Sequence, residues 1–193
     1  MRFIPTPLPG LFEVESEAHV DERGSFRRSW CAREFAQAGV DFQPLQASLS
    51  GNVRRHTLRG LHFQLAPHAE QKLVRCVRGC IRDVVVDVRE DSPTRWQHYA
   101  VELDATRGNA LFVPRGFAHG FLTLEDNTSV EYLIDAVFEP TSARGLRWSD
   151  PQLGIAWPAA PQVISDRDAA WPLLGLTIAP RTMPPTSPLP CES

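Results

Sequence analysis

Residues 72–88 read Lys72-Leu73-Val74-Arg75-Cys76-Val77-Arg78-Gly79-Cys80-Ile81-Arg82-Asp83-Val84-Val85-Val86-Asp87-Val88. Two apolar runs of strand length, Lys72–Val77 and Cys80–Val88, are divided by a glycine, a residue that punctuates strands. Working outward, similar runs recur at Gln46–Leu49, Leu58–Gln64, Trp96–Leu103, Ala110–Val113, Gly116–Thr123 and Ser129–Phe138, separated by Gly, Pro, Asn and Asp. Many short strands without helices between them predict an all-β sandwich or barrel. Residues 1–28 read as further short strands, with Asp21-Glu22-Arg23-Gly24 as a turn. Cys31–Ala38 has helix-forming composition and Gly39 suits its C-cap. Residues 140–174 read as loop with short helical turns.

A chain of 193 residues is long enough for one buried core and short for two. The expected organisation is one domain over residues 1–179 and a Pro/Ser/Thr-rich, disordered tail over 180–193. A net charge of −3 argues against nucleic-acid or membrane partners. No apolar run approaches the roughly 20 residues that span a bilayer, and the N-terminus lacks the apolar core of a signal peptide. Cys31, Cys76, Cys80 and Cys191 form no CxxC pair, which fits free thiols in a reducing cytoplasm.

Strand parity selects candidates, because alternate side chains share a face. Val130, Tyr132, Ile134, Ala136 and Phe138 fall on one side of the last run, with Leu133 and Val137 as exceptions to an otherwise polar opposite side. Lys72, the single lysine of the chain, aligns with Val74 and Cys76; His62 aligns with Gln64, and His119 with Phe117 and Phe121. Alone, His62, His119 and Tyr132 read as hydrogen-bonded core residues and Lys72 as a lysine on a solvated face. Together, four inward polar tips on His62, Lys72, His119 and Tyr132 are costly to bury unless they converge on one polar cavity. Arg59 has the wrong parity for that face and belongs at a strand mouth or after a bulge.

An imidazole, a phenol and an ammonium, with no Ser or Cys nucleophile motif, suit proton transfer. His takes a proton from a carbon beside a carbonyl at neutral pH. An ammonium stabilises the enolate oxygen. A tyrosine returns a proton from the opposite side, and the carbon is inverted. Gly108, Pro114, Gly116 and His119 resemble the second motif of the cupin barrels, whose first motif supplies a His-x-His pair. Here that pair reads His62-Phe63-Gln64, so a ligand is missing and no metal is expected.

Over longer segments the chain resembles the dTDP-4-dehydrorhamnose 3,5-epimerases, cupin-type jelly rolls. The matching stretches are Asp21–Gly24, Leu58–Gln64, Gln71–Arg75, Val113–Phe121 and Ser165–Ala170. The resemblance implies a nucleotide-sugar substrate, dTDP-linked, with a 4-keto-6-deoxy sugar, and no cofactor. It implies His62 as base, Asp168 as its dyad partner, Lys72 at the enolate oxygen and Tyr132 as acid. Arg23 and Arg59 match pyrophosphate positions. Gln46, His119 and Arg167 match substrate-lining positions, and Phe26 and Phe138 suit base stacking. It further implies a cytoplasmic homodimer with strand exchange, Phe26 serving the neighbouring site. Three positions depart from the family pattern: Arg28 where Glu is usual, Ser48 in a Gln-x-Asn triplet, and Ala143 where Glu is usual. They bear on the nucleotide and sugar, not on the proton-transfer group. A 3-only or 5-only epimerase, one using another nucleotide, and a non-catalytic nucleotide-sugar-binding cupin are the competing readings.

Overall fold

The alternation of the strands places three apolar layers. The structure, a computed structural model, describes residues 1–175; the tail expected over 180–193 lies outside them. Its strands are β1 (Arg2–Pro5), β2 (Phe12–Glu15), β3 (Ala18–Asp21), β4 (Gly24–Arg27), β5 (Gln46–Asn52), β6 (Leu58–Gln64) and β7 (Lys72–Arg78), followed by β8 (Cys80–Asp87), β9 (His98–Asp104), β10 (Ala110–Val113), β11 (Phe117–Thr123), β12 (Thr128–Ile134) and β13 (Ala143–Gly145). The helices are α1 (Ala32–Gln37) and α2 (Asp166–Ala169). A six-stranded sheet, β1-β2-β10-β7-β12-β5, faces a five-stranded sheet, β13-β6-β11-β8-β9, while β3 and β4 form a separate hairpin. Every pairing within these sheets is antiparallel. This is the jelly-roll sandwich, with short peripheral helices, that the sequence predicts.

Inward residues of both sheets, including Val74, Cys76, Ile81, Val85, Leu111, Phe121 and Val130, make the central layer. The outer face of the six-stranded sheet carries Leu73, Ala110 and Phe112 against Phe35 of α1 and Phe42. That second layer explains Leu133, an apparent parity exception, which packs there. The outer face of the five-stranded sheet buries Leu61, Val84, Val86 and Ala118 under Leu146, Leu153 and Trp157. Each fully buried Leu, Val or Phe contributes roughly 1.5–3 kcal/mol, so three such layers make the strands a rigid platform for polar side chains.

Several boundaries differ from expectation: β5 runs three residues past Leu49 to Asn52 and β9 begins at His98 rather than Trp96, and two further differences lie near the site. The run expected to continue to Phe138 leaves the sheet after Ile134. Side chains capture its backbone there: Gln46 Nε2 donates to Ala136 O at 3.1 Å and Gln64 Nε2 to Val137 O at 3.3 Å. In the region read as loop, Ala143–Gly145 pairs with β6, a three-residue strand too short to show an alternation. At α1 the helix ends at Gln37, and Gly39 takes the positive φ of 76° that a helix terminus uses.

Candidate active site

Strand β6 supplies the first side chain. His62 pairs in register with His119 on β11, while Arg59 pairs with Phe121. Between these pairs, two residues of β6, Gly60 and Leu61, therefore face one of β11, Gly120, a bulge. The extra residue reverses parity and brings Arg59 to the face of His62 and the core residue Phe121. Gly60 permits the close approach at this point: its φ is 115°, and a Cβ there would lie 2.6 Å from Gly120 Cα. Arg59 stays exposed at the rim, its Nε donating to Asn52 Oδ1 at 2.8 Å.

Asp168 reaches His62 from 106 residues away. The segment before it docks beside the start of β6, where Leu58 N–H donates to Val163 O at 2.8 Å and Thr57 bridges Val163. Ser165 then caps α2 by accepting from Asp168 N–H at 3.1 Å. The Asp168 carboxylate takes the Gly60 N–H at 3.2 Å through Oδ2 and lies 2.6 Å from His62 Nε2 through Oδ1. Burial raises the pKa of Asp168, but the His62 hydrogen bond and charge, with the Gly60 and Ser165 contacts, outweigh it and hold the carboxyl below its ordinary value. An ionised Asp168 fixes the Nε2–H tautomer and leaves the lone pair of Nδ1 available. The His62 side chain is 43 % exposed, so a substrate can reach it.

The facing sheet carries Lys72 and Tyr132. Val74 pairs with Tyr132 across β7 and β12, and Lys72 pairs with Ile134, which puts both polar tips on the inner face. Lys72 Nζ lies 2.8 Å from Glu70 Oε1. Tyr132 meets His119 edge to face, centroids 5.9 Å apart, and His119 Nε2 lies 2.8 Å from Asp83 Oδ2 in full burial. Burial foremost, then the Asp83 carboxylate, hold the Tyr132 phenol above its ordinary 10.0, against the pull of Arg59. Burial and Glu13 raise Tyr99, the other tyrosine, as well. The folded protein is therefore expected to show no phenolate absorbance up to pH 10, whereas the unfolded chain titrates near that value; a one-tyrosine step by pH 9 in the folded state contradicts this placement of the rings.

These walls enclose a cavity of about 200 Å³ lined by Gln46, His62, Lys72, Ile134, Phe138, Ala143, Arg144 and Arg167, among others. Five of the expected residues thus border it: Gln46, His62, Lys72, Phe138 and Arg167. Asp168 stands behind His62; His119 and Tyr132 meet each other on β11 and β12 and are not among the residues that line this cavity. Arg23 and Phe26 do not border it either. They sit on the β3–β4 hairpin, where Arg23 pairs with Asp21 at 2.5 Å and Phe26 is 73 % exposed. Arg28 is engaged elsewhere, donating to Glu34 Oε1 at 2.6 Å. Glu34 also takes the N-terminal ammonium, and those two hydrogen bonds, the ammonium's first, lower it to about 2. Ala143 leaves a small, uncharged surface in the lining.

Sequence reasoning missed Glu70, Asp83 and the structural role of Gln64. Asp83 carried a signal: a carboxylate with the parity of Ile81 and Val85 in an apolar run. Gln64, grouped with His62 by parity, instead ties the mouth together, accepting from Glu139 N–H at 2.6 Å and donating to His68 O at 3.0 Å. Among the described residues, no group of three His, Cys, Asp or Glu side chains is placed to hold a metal ion. No described helix is long and apolar enough to cross a membrane.

A family model described as dTDP-4-dehydrorhamnose 3,5-epimerase matches residues 5–175. A dTDP-4-dehydrorhamnose 3,5-epimerase of Sinorhizobium fredii is 43 % identical over 150 residues, 77 % of this chain and 75 % of that protein. The crystal structure of the Bacillus anthracis dTDP-4-dehydrorhamnose 3,5-epimerase with TDP and PPi bound superposes with a TM-score of 0.87 at 38 % identity, over 90 % of this chain and 99 % of that one. ChmJ, a 3'-monoepimerase of Streptomyces bikiniensis in complex with dTDP-quinovose, superposes with a TM-score of 0.82 at 36 % identity, over 88 % of this chain and 86 % of that one.

Proposed function

The chain belongs to the dTDP-4-dehydrorhamnose 3,5-epimerase family, and on that premise we propose that it epimerises dTDP-4-dehydro-6-deoxy-D-glucose at both carbons flanking the ketone, yielding dTDP-4-dehydro-L-rhamnose. The observation that carries this reading is the division of labour between the sheets. The base, His62 with Asp168 behind it, belongs to one wall; the ammonium of Lys72 and the phenol of Tyr132 belong to the other. A sugar ring held between the walls meets a base on one face and an acid on the other.

His62 Nδ1 takes the proton from a carbon beside the ketone, and the C–H electron pair moves into an enolate. Lys72 stabilises the oxygen as charge develops there. Tyr132 gives its proton to the opposite face of the same carbon, which inverts it. The imidazolium then loses its proton and the phenolate regains one, with solvent as the exchange medium. Asp168 stabilises the imidazolium during the interval, as a carboxylate does beside a catalytic histidine elsewhere. Arg59 at the rim supplies a planar donor fork for pyrophosphate, with Phe138 as a stacking face and Gln46, His119 and Arg167 along the substrate's path.

The hairpin supports a homodimer in which strands are exchanged. Arg23, Val20 and Phe26 project from it without reaching the cavity of their own chain, and β5 leaves Leu49 exposed on the edge of the six-stranded sheet. We infer that the hairpin pairs with the neighbour's sheet and presents Arg23 and Phe26 to its nucleotide. Sedimentation equilibrium is expected to give twice the chain mass; a monomer at micromolar concentration rules this out. Residues 1–179 act as one domain in this reading, in the cytoplasm, where the free thiols Cys76 and Cys80 stay reduced.

The test of the reaction is incubation with the substrate in heavy water, followed by NMR of both ring positions. Deuterium is expected at C3 and C5 with formation of the inverted sugar. Exchange at one carbon alone reduces the activity to a mono-epimerase, such as the ChmJ neighbour is named, and binding without exchange establishes a non-catalytic binder instead.

A further inference from the structure

Glu70 lies in the loop before β7 and borders the cavity. Its side chain is 8 % exposed, and one carboxylate oxygen, Oε1, holds Lys72 Nζ at 2.8 Å. The other, Oε2, is buried with no hydrogen-bond partner among the described residues. A desolvated carboxylate oxygen left open is expensive, and such a group in a native structure calls for a donor supplied from elsewhere. The open oxygen sits one carboxylate width from the oxygen that holds the ammonium. A ligand that offers an acceptor to Lys72 therefore brings its next substituent within reach of Glu70.

We propose that Glu70 reads a hydroxyl on the carbon next to the ketone, and so is a specificity-determining residue for 3-hydroxy over 3-deoxy sugars. This inference rests on the epimerase reading above. With the ketone oxygen on Lys72, the two flanking carbons differ: C3 bears a hydroxyl, and C5 bears a methyl group and the ring oxygen. Only the C3 side presents a donor. The closed circuit runs from Glu70 Oε1 to the ammonium, to the ketone oxygen, along C4–C3 to the hydroxyl, and back to Glu70 Oε2. It satisfies the orphaned oxygen and sets which end of the ring points toward the start of β7. A site that hydrogen-bonds a substrate hydroxyl through a buried group discriminates strongly against an analogue lacking it, because that group is then left unpaired.

The experiment compares dTDP-4-keto-6-deoxyglucose with its 3-deoxy counterpart, reading kcat/KM for solvent-deuterium incorporation at C5, a carbon common to both. The wild-type protein is expected to favour the 3-hydroxy substrate by about 10- to 100-fold, the range of a charge-assisted hydrogen bond. In Glu70→Leu that ratio is expected to collapse to within about threefold; Glu70→Gln has a single oxygen, which Lys72 takes, and turns an NH2 donor toward the hydroxyl, so it keeps only a neutral hydrogen bond and an intermediate ratio. Any weakening of Lys72 slows both substrates alike and leaves the ratio unmoved, so a purely structural Glu70 predicts an unchanged ratio. An unchanged ratio in Glu70→Leu overturns the inference and leaves the epimerase reading intact. No exchange of either substrate by wild type defeats both. If Glu70→Leu does not fold, calorimetric binding of the two sugars to wild type decides, and affinities within about threefold of each other overturn the proposal.

Discussion

Replacing His62 with asparagine is expected to lower deuterium exchange and product formation together, by about 10²–10⁴-fold, the range for loss of a positioned general base. Asparagine keeps a polar tip of similar reach, so the neighbouring contacts survive, but it has no lone pair that accepts a proton at neutral pH. The loss falls on kcat, because the imidazole serves the transition state more than it holds the ground state. Asp168→Asn is expected to cost nearly as much. An amide whose oxygen keeps the Gly60 N–H, now 3.2 Å from Oδ2, turns its NH2 toward His62 Nε2 and favours the Nδ1–H tautomer, which has no lone pair for the substrate proton. A His62→Asn protein that exchanges at the wild-type rate removes His62 from the reaction.

Lys72→Met is expected to cost activity and stability through separate routes. Loss of one fixed donor to a developing oxyanion lowers kcat by about 10²–10³-fold. The stability effect comes from Glu70. Lys72 and Glu70 are only 13 % and 8 % exposed, and removing one member of a buried pair strands the other charge, at about 3–5 kcal/mol. The double variant Lys72→Met/Glu70→Leu replaces the pair by apolar side chains and is expected to recover most of the melting temperature and none of the rate. Thermal unfolding and exchange rates on the three proteins check this. A single variant that melts with wild type and turns over normally contradicts both assignments. Lys72→Arg is not a conservative control, because a wide planar fork does not replace a compact ammonium at a single oxygen.

Much of the sandwich was legible because antiparallel strands with one buried face write their orientation as an alternation. Leu58–Gln64 and Ala110–Val113 form strands over the residues expected, and Tyr132 and Lys72 point inward as parity requires. Parity failed where its assumption failed. Arg59 looked misplaced because one extra residue on β6 reverses the count, and the sequence gives no sign of a bulge beyond a glycine. The strand expected to reach Phe138 stops four residues early because side-chain amides replace the ladder, a tertiary event. The pairing of His62 with Asp168 is likewise invisible to local pattern, since a distant segment has to dock beside β6 before the carboxylate arrives; family likeness supplied it. Glu70 escaped notice as one acid in a polar loop, and only burial sets it apart. Arg23 and Phe26 show the remaining limit: they sit on the exposed hairpin, away from the cavity of their own chain, a placement that strand alternation does not encode.

The central claim is that base and acid act from opposite walls on one carbon. Tyr132→Phe in heavy water tests it most directly, since the variant removes one proton from one wall and keeps the ring. The account predicts that His62 still takes and returns protons on its own face: deuterium enters the sugar within about tenfold of the wild-type rate, while inverted product falls by about 10²-fold or more. Inverted sugar formed at the wild-type rate by the phenylalanine variant would contradict it.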